Sequence, residues 1–439
     1  MTAAKTAEEL SPKFLKVMQR AKRDPQGPLR SLAHLIDEGA LRRAYGLLRK
    51  DAAVGVDGIT KEQYGLLLED NLRDLHGRLR TMRWRHQPIR RVHIPKAHGK
   101  TRPIGISTTE DKVVQGALCE VLEAAYEPVF RDCSYGFRRG RRAHDALKVL
   151  NGALFRGEVS WVIEADIESF FDSVDRKALM EMLRERIDDR SLLRLIGKCL
   201  HVGILEGSEY SEPDEGTVQG SVLSPMLGNV YLHHVLDQWF ERDVQPRLRG
   251  KALLVRYADD FVIGFQLRED AERVMAVLPR RFERHGLRLH PEKTRLLTFA
   301  RPPDDHDGKG LATFNFLGFT LYWRRTRAKK WAPALKTRRT SFHKALGVLT
   351  DWCRSHRHEP VKEQHVALCR RINGHGNYFA VSGNSRSMQR LLWWTRRAWR
   401  KWLNRRGSPK RMSWERFKDL LKDFPLPNAR VRVKMWEPA

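Results

Sequence analysis

Two adjacent acids, Asp259 and Asp260, sit between the apolar runs Leu253-Leu254-Val255 and Phe261-Val262-Ile263. The β-branched and aromatic residues on either side predict two strands, which puts the acids at the tip of a tight hairpin. Crowded carboxylates repel one another and lose solvation, and a cation is the usual remedy. Phosphoryl transfer from a nucleotide uses such a site, because a pair of divalent cations stabilises charge on the attacking and leaving oxygens. A plain polar turn would use the same residues, so the chemistry needs a further acid from another strand. Asp166, in the predicted strand over residues 161–167, is the natural second. Glu164 and Glu168 share its face by the strand period of two, so spacing alone does not single it out.

The elements that must position these acids follow an alternating pattern. Residues 1–50 read as helical, with apolar positions at Phe14, Leu15, Val17 and Met18 and again at Leu29, Leu32, Leu35 and Ile36. Two short strands, 91–95 and 102–106, flank a basic turn that contains Lys96. Helical sequence follows over 110–129. Strand 161–167, helices over 176–200 and 221–240, the Asp259 hairpin, an amphipathic helix over 269–285 and an apolar strand pair over 314–323 complete the middle. This order predicts an α+β fold built on a βαββαβ sheet with helices on one face.

Composition restricts the partners. The 439 residues carry 82 Lys+Arg against 53 Asp+Glu, a formal net charge of +29, while 41% are hydrophobic. A core is affordable, and the surface should attract polyanions with a steep salt dependence. No apolar run approaches the roughly 18–20 residues of a membrane span, and no secretory signal is visible at the N-terminus. The five scattered cysteines suggest no disulfide framework, which fits the cytoplasm. Cys353, His356, His358, His365 and Cys369 lack paired-ligand spacing, so a zinc site is not expected.

Residues 331–439 hold 25 Lys+Arg and 7 Asp+Glu, a surplus of 18, together with Trp352, Trp393, Trp394, Trp399, Trp402, Trp414 and Trp436. Met388, Leu391, Leu392, Thr395, Trp399, Trp402 and Leu403 recur at helical spacing, and Arg390, Arg396, Arg397, Arg400 and Lys401 fill the gaps. The stretch from Arg386 to Ser413 contains no acid. The tryptophans read as core and the cations as an RNA- or DNA-binding surface.

Longer blocks carry a resemblance. Tyr257-Ala258-Asp259-Asp260, Asp166-Ile167-Glu168-Ser169-Phe170-Phe171-Asp172 and Gly216-Thr217-Val218-Gln219-Gly220-Ser221-Val222-Leu223-Ser224-Pro225 stand with Arg102-Pro103-Ile104-Gly105-Ile106, Tyr135-Gly136-Phe137-Arg138, His290-Pro291-Glu292-Lys293-Thr294 and Asn315-Phe316-Leu317-Gly318-Phe319. In this order they resemble a group II intron-type reverse transcriptase, over nearly the whole chain from about residue 50. The resemblance implies a right-hand polymerase: an N-terminal helical extension (1–50), fingers and palm with a ferredoxin-like sheet (51–330), a helical thumb/maturase domain (331–405) and a short basic DNA-binding-like tail (406–439). It implies two Mg²⁺ ions, with Mn²⁺ as a substitute, held by Asp166 and Asp259 with Asp260 in support and the Ile167 carbonyl joining.

Further roles follow from the same resemblance. Phe171 would exclude a ribose 2′-hydroxyl, Gln219 would lie against the incoming nucleotide, Lys96 and Arg102 would hold triphosphate oxygens, and Lys293 would protonate the leaving pyrophosphate. The partners implied are an intron RNA template, a DNA primer or target and dNTPs, with no membrane and with room for a homodimer. The run Ile372-Asn373-Gly374-His375-Gly376-Asn377-Tyr378-Phe379 resembles the thumb/maturase region, and its glycines predict a turn. The family's optional HNH endonuclease would follow with paired cysteines and histidines; none appears before Ala439, so DNA cutting is not expected. Val218 and Ser221 depart from the usual Pro and Gly, which leaves the shape of the nucleotide pocket open. Two other roles stay in play: a domesticated relative serving DNA repair or phage defence, and a splicing-only RNA-binding maturase, against which the intact acids speak.

Overall fold

The computed structural model describes residues 12–95, 101–207, 209–211, 216–217, 219–406 and 412–436. Its centre is a four-stranded antiparallel sheet of β1 (Trp161–Asp166), β2 (Ala252–Tyr257), β3 (Asp260–Phe265) and β4 (Arg295–Thr298), in the order β4-β1-β3-β2. Helices Arg176–Arg186, Arg190–Leu200 and Ser224–Leu232 lie between β1 and β2, and Arg268–Glu283 lies between β3 and β4. The chain therefore runs βαββαβ through this sheet, and a connection of this kind needs long crossovers to bring β1 beside β3.

Both faces of the sheet are buried. Ile163, Ala165, Leu254, Phe261 and Ile263 face the larger core with helix Thr109–Tyr126. Val162, Val255 and Val262, one residue out of phase, face a second core with Leu147, Leu150 and Phe314. The expected helices on one face thus become cover on both sides, because helix Ala143–Phe155 and a second sheet close the other face. The near-continuous apolar run of β3 is the sequence signature of such two-sided burial.

That second sheet comprises β5 (Phe314–Phe316), β6 (Phe319–Arg325) and β7 (Trp331–Thr337). The composition changes near residue 330, yet β7 pairs with β6 along its whole length, and the sheet ends only at Thr337. At the other end, Phe14, Ala21, Leu29 and Leu41 join the same core as the central sheet, so residues 12–47 pack into the body of the protein.

Helices Arg339–Ser355, Val361–Phe379, Ser385–Leu403 and Trp414–Asp423 surround a third core of Leu349, Leu368, Leu391, Trp399 and Phe417. The run Gly374–Asn377 lies inside a helix, which corrects the expected turn. Gln364, Leu368, Ile372 and Gly376 form its buried stripe at i, i+4 spacing. Gly376 packs beside the Arg432 guanidinium, and a Cβ there would make ordinary contact with it at 3.4 Å.

Candidate active site

The hairpin turns at Ala258, whose φ of 57° is left-handed, and Asp260 opens β3 directly opposite Asp166 in the register of β1. Asp259 projects from the turn beside them. Burial first, and then the neighbouring charge of Asp166, raises the Asp259 carboxyl above its ordinary value, while Arg102 and Arg256 pull it back. Asp260 is pushed up to about 7 by burial and by Asp259, Asp166 and Glu164, against a 3.3 Å hydrogen bond donated by the Leu317 N–H. Raised carboxyls crowded at one sheet end mark a place that accommodates positive charge.

Two cations already face these acids. The Lys293 ammonium lies 2.5 Å from Asp166 Oδ2, and the Arg295 guanidinium lies 2.7 Å from Glu164. Glu164 is engaged by Arg295 and by the Asn315 N–H at 3.1 Å, whereas Asp166 pairs with Lys293 and stands opposite Asp260 in the register, a distinction that spacing could not make. The loop before Lys293 is fixed by main-chain bonds: the His290 N–H donates to the Asp166 carbonyl and the Glu168 N–H donates to the Arg288 carbonyl, both at 2.8 Å. The Ile167–Leu289 bridge uses those flanking groups and not the Ile167 carbonyl.

Among the described residues, no three His, Cys, Asp or Glu side chains are arranged so that they could hold a metal ion by themselves. The donor chemistry at Asp166 and Asp259 nevertheless fits a hard cation, for Mg²⁺ takes one or two carboxylates and completes its shell with water and substrate phosphate.

The loop that carries Gln219 is docked by its backbone. The Thr217 N–H donates to the Phe171 carbonyl at 2.6 Å, and the Gly105 N–H donates to the Gln219 carbonyl at 2.7 Å. Gly220, with φ of 111°, would drive a Cβ to 2.6 Å from the Gly105 carbonyl. Gln219 thereby lies beside the strand that bears the exposed Arg102. Phe171 is half-buried, with its ring over helix Ser224–Leu232, where a Cβ on Gly228 would meet it at 3.5 Å. Phe170 points into the core, so the two adjacent phenylalanines separate into one buried and one available ring. Lys96 and Val218 lie outside the described residues.

Sequence reasoning passed over what holds the turn. The Arg256 guanidinium is fully buried and donates to Asp237 at 2.7 and 2.5 Å, to Asn229 Oδ1 at 3.0 Å, to Ser134 Oγ at 2.7 Å and to the Ala258 carbonyl at 3.0 Å. Its planar fork is suited to such convergence. Asp237 reaches it from a π-helical turn that continues helix Ser224–Leu232, a widening often met near functional sites. The only signal in the sequence was an arginine where an apolar strand residue was due.

The basic helix Ser385–Leu403 buries Met388, Leu391, Leu392, Thr395, Ala398, Trp399 and Leu403. Its cations stack on aromatic rings: Arg397 lies 4.6 Å from the Trp393 centroid, Arg400 4.2 Å from Trp414, Arg390 5.5 Å from Phe342 and Lys401 5.4 Å from Trp402. Trp393, Trp394 and Trp414 are exposed, so they do not all belong to the core as expected. Among the described residues, neither these cations nor Arg396 lies within ion-pair distance of a carboxylate. No helix among them is long and apolar enough to cross a membrane.

Comparison with known proteins accords with this geometry. A family model described as reverse transcriptase (RNA-dependent DNA polymerase) matches residues 94–321, just over half of the chain. Protein YkfC of Escherichia coli is 33% identical over 306 residues, covering 62% of this chain and 77% of its own length. The group II intron-encoded protein LtrA of Lactococcus lactis is 35% identical over 212 residues, covering 47% of this chain and 35% of LtrA. Nuclear intron maturase 4 of Arabidopsis thaliana is 31% identical over 140 residues, covering 32% of this chain and 17% of that protein. The chain thus spans well under half the length of the two intron-related proteins it matches.

Proposed function

The chain belongs to the reverse transcriptase (RNA-dependent DNA polymerase) family, and from that premise we propose that it copies group II intron RNA into DNA from a DNA primer and assists splicing of the same RNA. The observation that carries this reading is the register that sets Asp166 opposite Asp260, with Asp259 at the adjoining turn. Asp166 and Asp259 would hold two Mg²⁺ ions, which Mn²⁺ could replace, with Asp260 in support from β3 and the Ile167 carbonyl joining them. Bound there, the ions would neutralise charge developing on the attacking and leaving oxygens.

The chain's own groups supply the rest. Arg102 and Lys96 hold triphosphate oxygens, Arg102 through a two-pronged hydrogen bond. Gln219 contacts the base and sugar of the dNTP, and the Phe171 ring closes the space a 2′-hydroxyl would need. Lys293, already beside Asp166, is placed to give a proton to departing pyrophosphate. In this reading residues 51–330 are fingers and palm, 331–405 the thumb/maturase helices and 406–439 a basic tail on target DNA. Arg390, Arg396, Arg397, Arg400 and Lys401 grip the duplex or the intron RNA, and the protein works in the cytoplasm.

The test is extension of a DNA primer on an RNA template by purified protein with Mg²⁺ and dNTPs, run beside binding to the same RNA. Tight binding without any extension would leave only a splicing role.

A further inference from the structure

Phe137 combines three properties that packing does not explain. Its φ of 57° is left-handed, a conformation that a bulky side chain adopts only under constraint. Its side chain is 55% exposed, so no core contact repays that conformation. And its ring lies 6.5 Å from that of Tyr257, the residue that begins the catalytic turn.

The surrounding frame is rigid. A Cβ on Gly136 would stand 2.3 Å from the Ala258 nitrogen, so only glycine lets this segment lie against the turn. The Gly136 carbonyl accepts a 2.7 Å hydrogen bond from Asn229, and the Tyr135 N–H donates to the Arg256 carbonyl at 2.8 Å. On the other side, Arg138 pairs with Glu127 at 2.8 Å and donates to the Arg131 and Ser134 carbonyls at 2.6 and 2.8 Å. The frame holds an exposed aromatic ring beside Tyr257, at the turn that carries Asp259. Backbone strain that persists at such a place points to function.

Resting on the polymerase reading above, we propose that Phe137 and Tyr257 form an apolar shelf for the sugar and base edges of the template–primer duplex beside its reactive end. Nucleic acid suits the shelf because aromatic faces accept any base or sugar edge without regard to sequence, and the neighbouring acids fix where the primer's 3′-oxygen must stand. Phe137 is then a positioning residue for the duplex, with no part in binding the dNTP triphosphate.

Phe137→Gly separates this role from a structural one, because glycine accepts the left-handed backbone without strain. The expected result is an equal or higher melting temperature, duplex dissociation accelerated on the order of ten-fold, and a KM for dNTP that barely changes. Phe137→Tyr should restore duplex binding. Fluorescence anisotropy with a labelled RNA–DNA duplex gives a readout that does not need turnover, so a protein that extends no primer would refute the polymerase reading while this one is still measured. Unchanged duplex dissociation in Phe137→Gly, or a lowered melting temperature in both variants, would overturn the proposal.

Discussion

Replacing Asp260 by asparagine should stabilise the metal-free protein at alkaline pH while disabling it. Burial and the charges of Asp259, Asp166 and Glu164 push the Asp260 carboxyl up to about 7 from an ordinary 3.8. A raised carboxyl favours the folded state fully only below the ordinary value, and that contribution is lost as pH climbs through 7. Above pH 7 the folded protein therefore carries an ionised group it would rather hold neutral. Each pH unit between the two values corresponds to about 1.4 kcal/mol, so the penalty at pH 8 has a ceiling of about 4 kcal/mol. Partial exposure of the side chain screens this to about 2 kcal/mol. Asparagine is neutral and keeps an oxygen to accept the Leu317 N–H that now reaches Asp260 at 3.3 Å. Urea melts in EDTA at pH 5 and pH 8 measure the effect. The variant should gain about 2 kcal/mol at pH 8 and less than half of that at pH 5. Added Mg²⁺ should raise the wild-type midpoint more than the variant's, by mass action on the folded state, since the variant keeps Asp166 and Asp259 but loses the supporting charge. No gain at pH 8, or the same gain at both pH values, would refute the reasoning.

Three other outcomes follow from the same contacts. Arg256→Lys keeps the charge but not the fork that joins Asp237, Asn229, Ser134 and the Ala258 carbonyl, and chemical denaturation should show a loss of about 3 kcal/mol. Phe171→Ala should let ribonucleotides in, lowering the dNTP-over-rNTP ratio of kcat/KM by about ten-fold or more in steady-state incorporation. Replacing Arg396, Arg397 and Arg400 together by alanine should weaken RNA binding across sequences and flatten the slope of log affinity against log salt by about 2 to 3. An unchanged slope would place RNA binding on other surfaces.

Much of the site was legible because strand chemistry is written locally. Apolar runs placed Asp166 in a strand and Asp259 and Asp260 at the tip of a hairpin. The register that joins Asp166 to Asp260 was not legible, since it depends on crossovers of many residues. Nor was the engagement of Glu164 by Arg295, 131 residues away, which a period of two cannot distinguish from an open carboxylate. Gly374 and Gly376 misled because a helix stabilised by its buried stripe tolerates glycine, and the run reads as a turn only when that stripe is overlooked. Trp393, Trp394 and Trp414 misled in the opposite sense, for residue type alone reads them as core although they stand outside the apolar stripe, and they are exposed, with Arg397 over Trp393 and Arg400 over Trp414. The cover on both faces of the central sheet was present in the unbroken apolar run of β3, but only its partners in space reveal which residue faces which core.

The most direct test of the account is single-turnover primer extension on an RNA template by the wild type, Asp166→Ala and Asp259→Ala, with duplex binding measured on the same preparations. The account predicts that wild type extends the primer only with a divalent cation, and that each variant binds the duplex as before while its extension rate falls by a factor of about a thousand or more. Extension at near wild-type rate in either variant would contradict it.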